Sequence, residues 1–270
     1  MKDFKYFLIE KDEGIAVITF NRPEALNALS IPLMEELEEL VDSLPAEKDI
    51  QVAIFTGAGE KAFIAGGDIK VMYPMTPHEA KEYAKLGQRV LYKIENLEIP
   101  TIGAINGYAL GGGTEVAMAF DIRIASERAV FGQPEVYLGI TPGYAGTQRL
   151  PRLVGKGMGK MLIFTGDHIS AEEAYRIGLV QKVVPHEKLL EEAKALARRI
   201  MKNSPVAVRL AKVAINQGLE MDFWSACVYE AHVFGMCFTY EDQSEGMSAF
   251  IEKRKPQFSG KMLPKIKTNG

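Results

Sequence analysis

The chain is poor in the residues that mark several large classes of protein. It has two cysteines, Cys227 and Cys237, in an apolar stretch and at no metal-binding spacing. That argues against a disulfide framework and predicts buried free thiols in a reducing compartment. The four histidines, His78, His168, His186 and His232, are scattered without H-x-x-x-H spacing, so no metal site is expected. Neither charge sign dominates. The formal net charge of −3 implies no general attraction to nucleic acid or to a membrane, and an anionic ligand would need a local basic patch. Long apolar runs are missing too. The uncharged stretch from Ile99 to Thr114 is too short and too rich in Gly and Pro to span a bilayer. The opening "MKDFKYFLIEKDEG" scatters charges where a secretory signal needs an uninterrupted apolar segment. The expected location is cytoplasmic. No P-loop and no G-x-S-x-G nucleophile elbow occurs. "GAGEKA" resembles a dinucleotide fingerprint but runs into another loop, "FIAGGDIK", instead of a helix.

What is present is an alternation of strand-like and helix-like segments. "GIAVITF", "VAIFTG" and "TIGAING" are β-branched apolar runs that read as buried strands. "IRIAS", "AVFGQPE" and "VQKVVP" read as shorter extended pieces. Ser30 and Pro32 open the amphipathic "LMEELEELVDSL", and further helices are expected from about Thr76 to Glu95, after the glycines of "GGGTEVAMAFD", and in "EKLLEEAKALARRIMK". This alternation predicts an α/β fold with parallel strands. "KNSPVAV" breaks it. The expected organisation is an α/β core over 1–200 and a helical region over 201–270. Phe223, Trp224, Tyr229, Phe234 and Phe238 make that region too apolar to stand alone, so it is expected to cover the core or a second subunit. No internal repeat is visible.

Three glycine-rich loops follow strand-like segments: "AFIAGGDIK", "GYALGGGTE" and "FGQPEVYLGITPGYAGTQRL". Glycine marks tight turns, but it also lets a ligand reach the main chain and leaves N–H groups pointing outward. Two such groups from separate loops can converge on one oxygen, the second of them at a helix N-terminus where negative charge is favoured. Glu115 and Glu135 lie beside these glycines. Each alone reads equally well as a paired structural glutamate. Together, near an oxyanion hole, they suit acid/base chemistry on a carbonyl compound.

These residues resemble the enoyl-CoA hydratase (crotonase) family. "NRPEALNALS", "KAFIAGGDIK", "NGYALGGGTE", "FGQPEVYLGITPGYAGTQRL", "TGDHISAEEAYRIGLVQKVVP" and "EGMSAFIEKRKPQF" carry the likeness across nearly the whole chain. The resemblance implies a spiral of repeated ββα units with a helical C-terminal trimerisation region, and a homotrimer or a hexamer of paired trimers. It implies that the N–H groups of Gly67 and Gly112 hold the thioester oxygen of an acyl-CoA. Asp68, Ile69 and Lys70 would line the bound CoA, with Ala25, Leu26, Ala28 and Ala65 nearby and Pro134 at the substrate. Glu115 would orient and activate water, Glu135 would donate the proton, and Gly143 would offer the water a further N–H. The implied reaction is reversible hydration of a 2-enoyl-CoA to a 3-hydroxyacyl-CoA with no metal and no cofactor, CoA being part of the substrate. Sibling reactions on the same scaffold, such as double-bond isomerisation, and a non-catalytic RNA- or partner-binding member remain as alternatives. Two positions depart from the family pattern: Gly67 stands where alanine is commoner, and Ala145 where glycine is usual. Met72, Tyr73 and Met75 suggest a short, crowded acyl site.

Overall fold

The structure, a computed structural model, describes residues 2–264. The chain divides into two compact units, one ending at Ala197 and the other beginning at Arg198.

Among the described residues, the first unit holds ten strands. They are β1 (Phe7–Asp12), β2 (Ile15–Phe20), β3 (Val52–Gly57), β4 (Ala62–Ile64), β5 (Thr101–Ile105), β6 (Tyr108–Leu110), β7 (Ile122–Ser126), β8 (Val130–Gly132), β9 (His168–Ser170) and β10 (Lys182–Val184). Its helices are α1 (Ile31–Ser43), α2 (Ile69–Met72), α3 (Pro77–Glu95), α4 (Gly112–Ala119), α5 (Gly146–Val154), α6 (Lys156–Thr165) and α7 (Ala171–Arg176); α8 (Leu189–Ile200) follows. One sheet runs β1-β2-β3-β5-β7-β10 and the other β4-β6-β8-β9. Pairing is parallel except at β1–β2 and β8–β9.

The order of these strands is the spiral. Each of β3–β4, β5–β6 and β7–β8 puts its first strand in the six-stranded sheet and its second in the four-stranded one, then returns through helix. β3 and β5 are buried along their whole length, as continuous apolar runs in a parallel sheet require. Phe20, Phe55, Phe63 and Phe120 fill the space behind them, Phe55 stacked on Phe120 at 4.7 Å and Phe20 edge-on to Phe63 at 5.6 Å. Asn106 ties the ends of β3 and β5: its Nδ2 donates to the Gly57 and Gly59 carbonyls, and its Oδ1 accepts from Gly57 N–H.

Four strands lie where the sequence reading had none: β1, β4, β6 and β9. Three of them are only three residues long, too short to display a period of two, and β4 lies in a segment read as loop. β1, "FLIEKD", is a charged edge strand whose hairpin turn uses positive φ at Glu13 and Gly14.

Because β4, β6 and β8 are parallel neighbours, their C-terminal ends stand side by side, and the loop after each opens on the same edge. Helix α3 flanks that edge. It begins in a capping box: Thr76 Oγ1 accepts from Glu79 N–H, and the Glu79 carboxylate accepts from Thr76 N–H at 2.7 Å. Thr76→Ala removes one half of the box and is expected to cost about 1 kcal/mol, read as a lower midpoint in urea at unchanged slope.

The second unit contains α9 (Pro205–Gly218), α10 (Phe223–Cys237) and α11 (Glu241–Ile251). α9 and α10 share a small core of Val206, Leu210 and Val233. Asp242 is buried there and satisfied, accepting from the Ser204 hydroxyl at 2.6 Å and from the N–H groups of Ser259 and Gly260. Phe223, Trp224, Phe234 and Phe250 are exposed in the single chain.

Candidate active site

The loops after β4, β6 and β8 surround a cavity of about 940 Å³, closed on the far side by α3 and the segment before α5. Gly67, Gly112, Glu115 and Glu135, named from the sequence, all line it. So do Ala65, Ile69, Pro134 and Gly143.

Gly67 faces the cavity for a reason of pairing. The Leu29 N–H bonds the Gly66 carbonyl at 2.8 Å, and the Asp68 N–H bonds the Leu29 carbonyl at 2.9 Å. In a parallel bridge of this form the residue between, Gly67, turns its own N–H away from the partner strand. A Cβ at Gly67 would lie 3.1 Å from the Tyr83 hydroxyl and 3.4 Å from Met72 Cε, so the loop sits close against these cavity walls. Gly112 is the first residue of α4, where an N–H has no intrahelical acceptor. Gly111 before it has φ +51, a conformation glycine adopts without strain. Gly67 and Gly112, whose N–H groups have no acceptor in the bridge or the helix, line the cavity from adjacent loops, the second at a helix N-terminus.

Glu115 lies one turn into α4 and is 2 % exposed. Its Oε1 accepts from Tyr144 N–H at 2.8 Å and Gly146 N–H at 2.6 Å. Glu135 belongs to the short 3₁₀ turn Pro134–Leu138 and is also buried; its Oε2 has no hydrogen-bond partner among the described residues. Burial raises the pKa of both carboxyls above 4.5, Glu135 to about 7 and Glu115 to about 8, with the Glu135 charge adding to the second and the two N–H donors opposing it. The folded chain thus holds protons that the unfolded chain releases between about pH 4.5 and 8, and stability falls as pH rises through that window. Glu115→Gln keeps an acceptor for both N–H groups and removes the Glu115 part of this titration. The melting temperature of that variant is expected to rise at pH 8 and to vary less between pH 5 and 8.

The remaining predicted residues lie outside the cavity. Asp68 caps α2 by accepting from Lys70 N–H and forms an ion pair with Arg22 at 3.2 Å. The Lys70 side chain is exposed. Ala25, Leu26 and Ala28 form a turn stitched to the β4 loop, with the Ala65 N–H bonding the Leu26 carbonyl and Arg22 reaching the Ala28 carbonyl. Leu26 and Asn27 both take positive φ, and the Asn27 side chain holds them there by bonding the Ala58 and Ala62 carbonyls and the Arg22 N–H. Of the three residues suggested for a crowded acyl site, Met72 and Met75 line the cavity while Tyr73 is 91 % exposed.

The sequence reading missed Tyr83 and Tyr144, whose rings meet at 5.3 Å in the cavity wall, and the N–H donors of Tyr144 and Gly146. Gly87 on α3 leaves room for the Tyr144 ring; a Cβ there would fall 2.1 Å from Tyr144 Cδ1. Only "PGYAG" signalled this loop, and its Ala145 has φ +73, the left-handed conformation that favours glycine. Among the described residues, no group of three or more His, Cys, Asp or Glu is placed to hold a metal ion.

Residues 10–261 match the family described as enoyl-CoA hydratase/isomerase. The chain belongs to that family. Among curated relatives it is 50 % identical over 258 residues to the crotonyl-CoA hydratase of Syntrophomonas wolfei, covering 96 % of this chain and 99 % of that one. It is 52 % identical over 248 residues to the short-chain-enoyl-CoA hydratase of Clostridium acetobutylicum, covering 92 % and 95 %. The crystal structure of enoyl-CoA hydratase from Bacillus anthracis superposes with a TM-score of 0.92 at 42 % identity, covering 95 % of this chain and all of that one. Fold and family membership thus agree with the spiral expected from the motifs of this hydratase/isomerase family.

Proposed function

We propose that this chain is an enoyl-CoA hydratase, adding water reversibly across the C2–C3 double bond of a short 2-enoyl-CoA thioester. The observation that carries this reading is the convergence of Glu115, Glu135 and the Gly67 and Gly112 loops on one cavity. The naming of the two curated relatives supports hydration and a short acyl chain.

The thioester oxygen sits between the Gly67 and Gly112 N–H groups, which withdraw charge from the conjugated system. Water lies between the two carboxyl groups. Glu115, as carboxylate, takes a proton from the water while its oxygen bonds to C3. The π-electron pair moves toward the thioester oxygen, and Glu135 delivers its proton to C2 as the carbonyl re-forms. Transfer of the proton from Glu115 to Glu135 restores the starting state. Burial raises both carboxyls, so the pair holds a shared proton near neutral pH; the two N–H donors on Glu115 support placing the charge there and the proton on Glu135 when water is deprotonated. CoA lies along the turn Ala25–Ala28 and the segment Asp68–Lys70, whose proximity to the cavity mouth supports that role.

The exposed Phe223, Trp224, Phe234 and Phe250 support burial of the second unit in a homotrimer, or in a pair of trimers. Among the described residues no helix is long and apolar enough to cross a membrane. The test is the loss of enoyl-thioester absorbance when purified protein meets crotonyl-CoA. Rapid loss supports the hydratase; folded protein that binds CoA but leaves the absorbance unchanged overturns it.

A further inference from the structure

We propose that Gln133 is a positioning residue for the oxyanion hole, fixing the direction of the Gly112 N–H through the carbonyl of Gly111. The proposal rests on the hydratase reading for its chemistry, but the contact itself is geometric. Gln133 is completely buried at the end of β8, and its Nε2 donates to the Gly111 oxygen at 2.8 Å. That oxygen and the Gly112 N–H belong to one planar peptide and point in opposite directions. Holding the oxygen therefore aims the N–H. The Glu115 N–H also bonds the Gly111 oxygen, at 3.0 Å. Gly111, however, has φ +51 and no side chain, so the helical bond alone leaves this peptide free to rock. A second donor arriving from a different strand removes that freedom. A donor on the carbonyl also polarises the peptide, which strengthens its N–H toward a developing oxyanion.

The Gly111 carbonyl assigns the amide's orientation, since only the nitrogen can donate to it. Gln133 Oε1 is buried without a partner among the described residues and faces Gly146, where a Cβ would lie 2.0 Å from it and 2.8 Å from Glu115 Oε1. A buried acceptor left unpaired has a cost. It is tolerated here because the amide's nitrogen is committed to Gly111. One side chain thus spans from the oxyanion peptide to the loop that holds Glu115.

The test uses Gln133→Met, which keeps length and burial but has no donor, with Gln133→Asn as a second variant whose amide stops short of Gly111. Turnover of crotonyl-CoA is expected to fall about 10- to 100-fold in kcat with KM nearly unchanged. The red shift of a conjugated dienoyl-CoA on binding, which reports polarisation at the carbonyl oxygen, is expected to shrink in both variants. Affinity for saturated butyryl-CoA is expected to stay within about twofold of the parent, since uniform binding is untouched. An unchanged red shift in folded variants, or equal losses for butyryl-CoA and the dienoyl-CoA, overturns the proposal. If the parent protein fails to hydrate crotonyl-CoA, the hydratase reading falls, and the red-shift comparison still decides the role of Gln133.

Discussion

Glu135→Gln is expected to lower kcat for crotonyl-CoA hydration by about 10³-fold while leaving the dissociation constant for butyryl-CoA within about twofold. The two carboxyls do not contribute alike. Glu115 is held by two N–H donors, whereas Glu135 Oε2 is buried with no partner among the described residues. Burial raises Glu135, and with Oε2 unpartnered it can hold the pair's shared proton until the transition state, which is what a general acid needs. Glutamine preserves shape and burial but has no acidic proton to give. Its effect should therefore appear in kcat and not in binding. Parallel falls in both quantities would assign Glu135 to shaping the cavity. The pH profile gives an independent check: hydration by the parent should decline on the alkaline side as the pair loses its last proton, with an apparent pKa that belongs to the pair and not to either residue.

Gly113→Ala is expected to be the most damaging single methyl group in the chain. The added Cβ would lie 1.9 Å from the Ile64 carbonyl oxygen, and that oxygen is backbone, so no rotamer change relieves the contact. Either α4 or β4 must move. Such overpacking costs about 3 kcal/mol, a fall of roughly 6–12 °C in melting temperature. The movement also separates the two loops that bring Gly67 and Gly112 to the cavity, so the variant that still folds should lose activity beyond its loss of stability. A folded Gly113→Ala protein with parent-like turnover would mean that the spacing of these loops is not what catalysis depends on.

The glycine triplet illustrates what could be read without coordinates. Glycines that can expose main-chain N–H groups, with a carboxylate just after them, point to a site, and Gly67, Gly112, Glu115 and Glu135 do meet at one cavity. The six-stranded sheet was legible wherever strands were long and apolar, as in β2, β3 and β5. Of the second sheet only β8, within "AVFGQPE", is legible. β4, β6 and β9 have three residues each, and their pairing is set by tertiary position, which leaves no periodic trace. The spiral rested on family resemblance for that reason. Tyr144 and Gly146 were missed because their contribution to Glu115 is a backbone N–H, and any residue type can supply one. Gln133 stood two residues from a predicted catalytic glutamate and was passed over, since an amide in a glycine-rich loop does not announce which carbonyl it will meet.

The side-by-side ends of β4, β6 and β8 have a consequence for how the chain gains its activity. Gly67, Gly112 and Glu135 come from three successive turns of the spiral, over a span of nearly seventy residues, and none of those turns holds a complete site. A nascent or truncated chain that has stacked only two turns has Gly67, Gly112 and Glu115 but lacks Glu135 and the Tyr144–Gly146 donors that hold Glu115. Ligand affinity is then a property of the closed stack, and a bound acyl-CoA draws its binding energy from, and returns it to, all three turns at once. Slowed amide exchange on ligand binding should accordingly extend through β4, β6 and β8 together, including strand residues that touch no ligand atom.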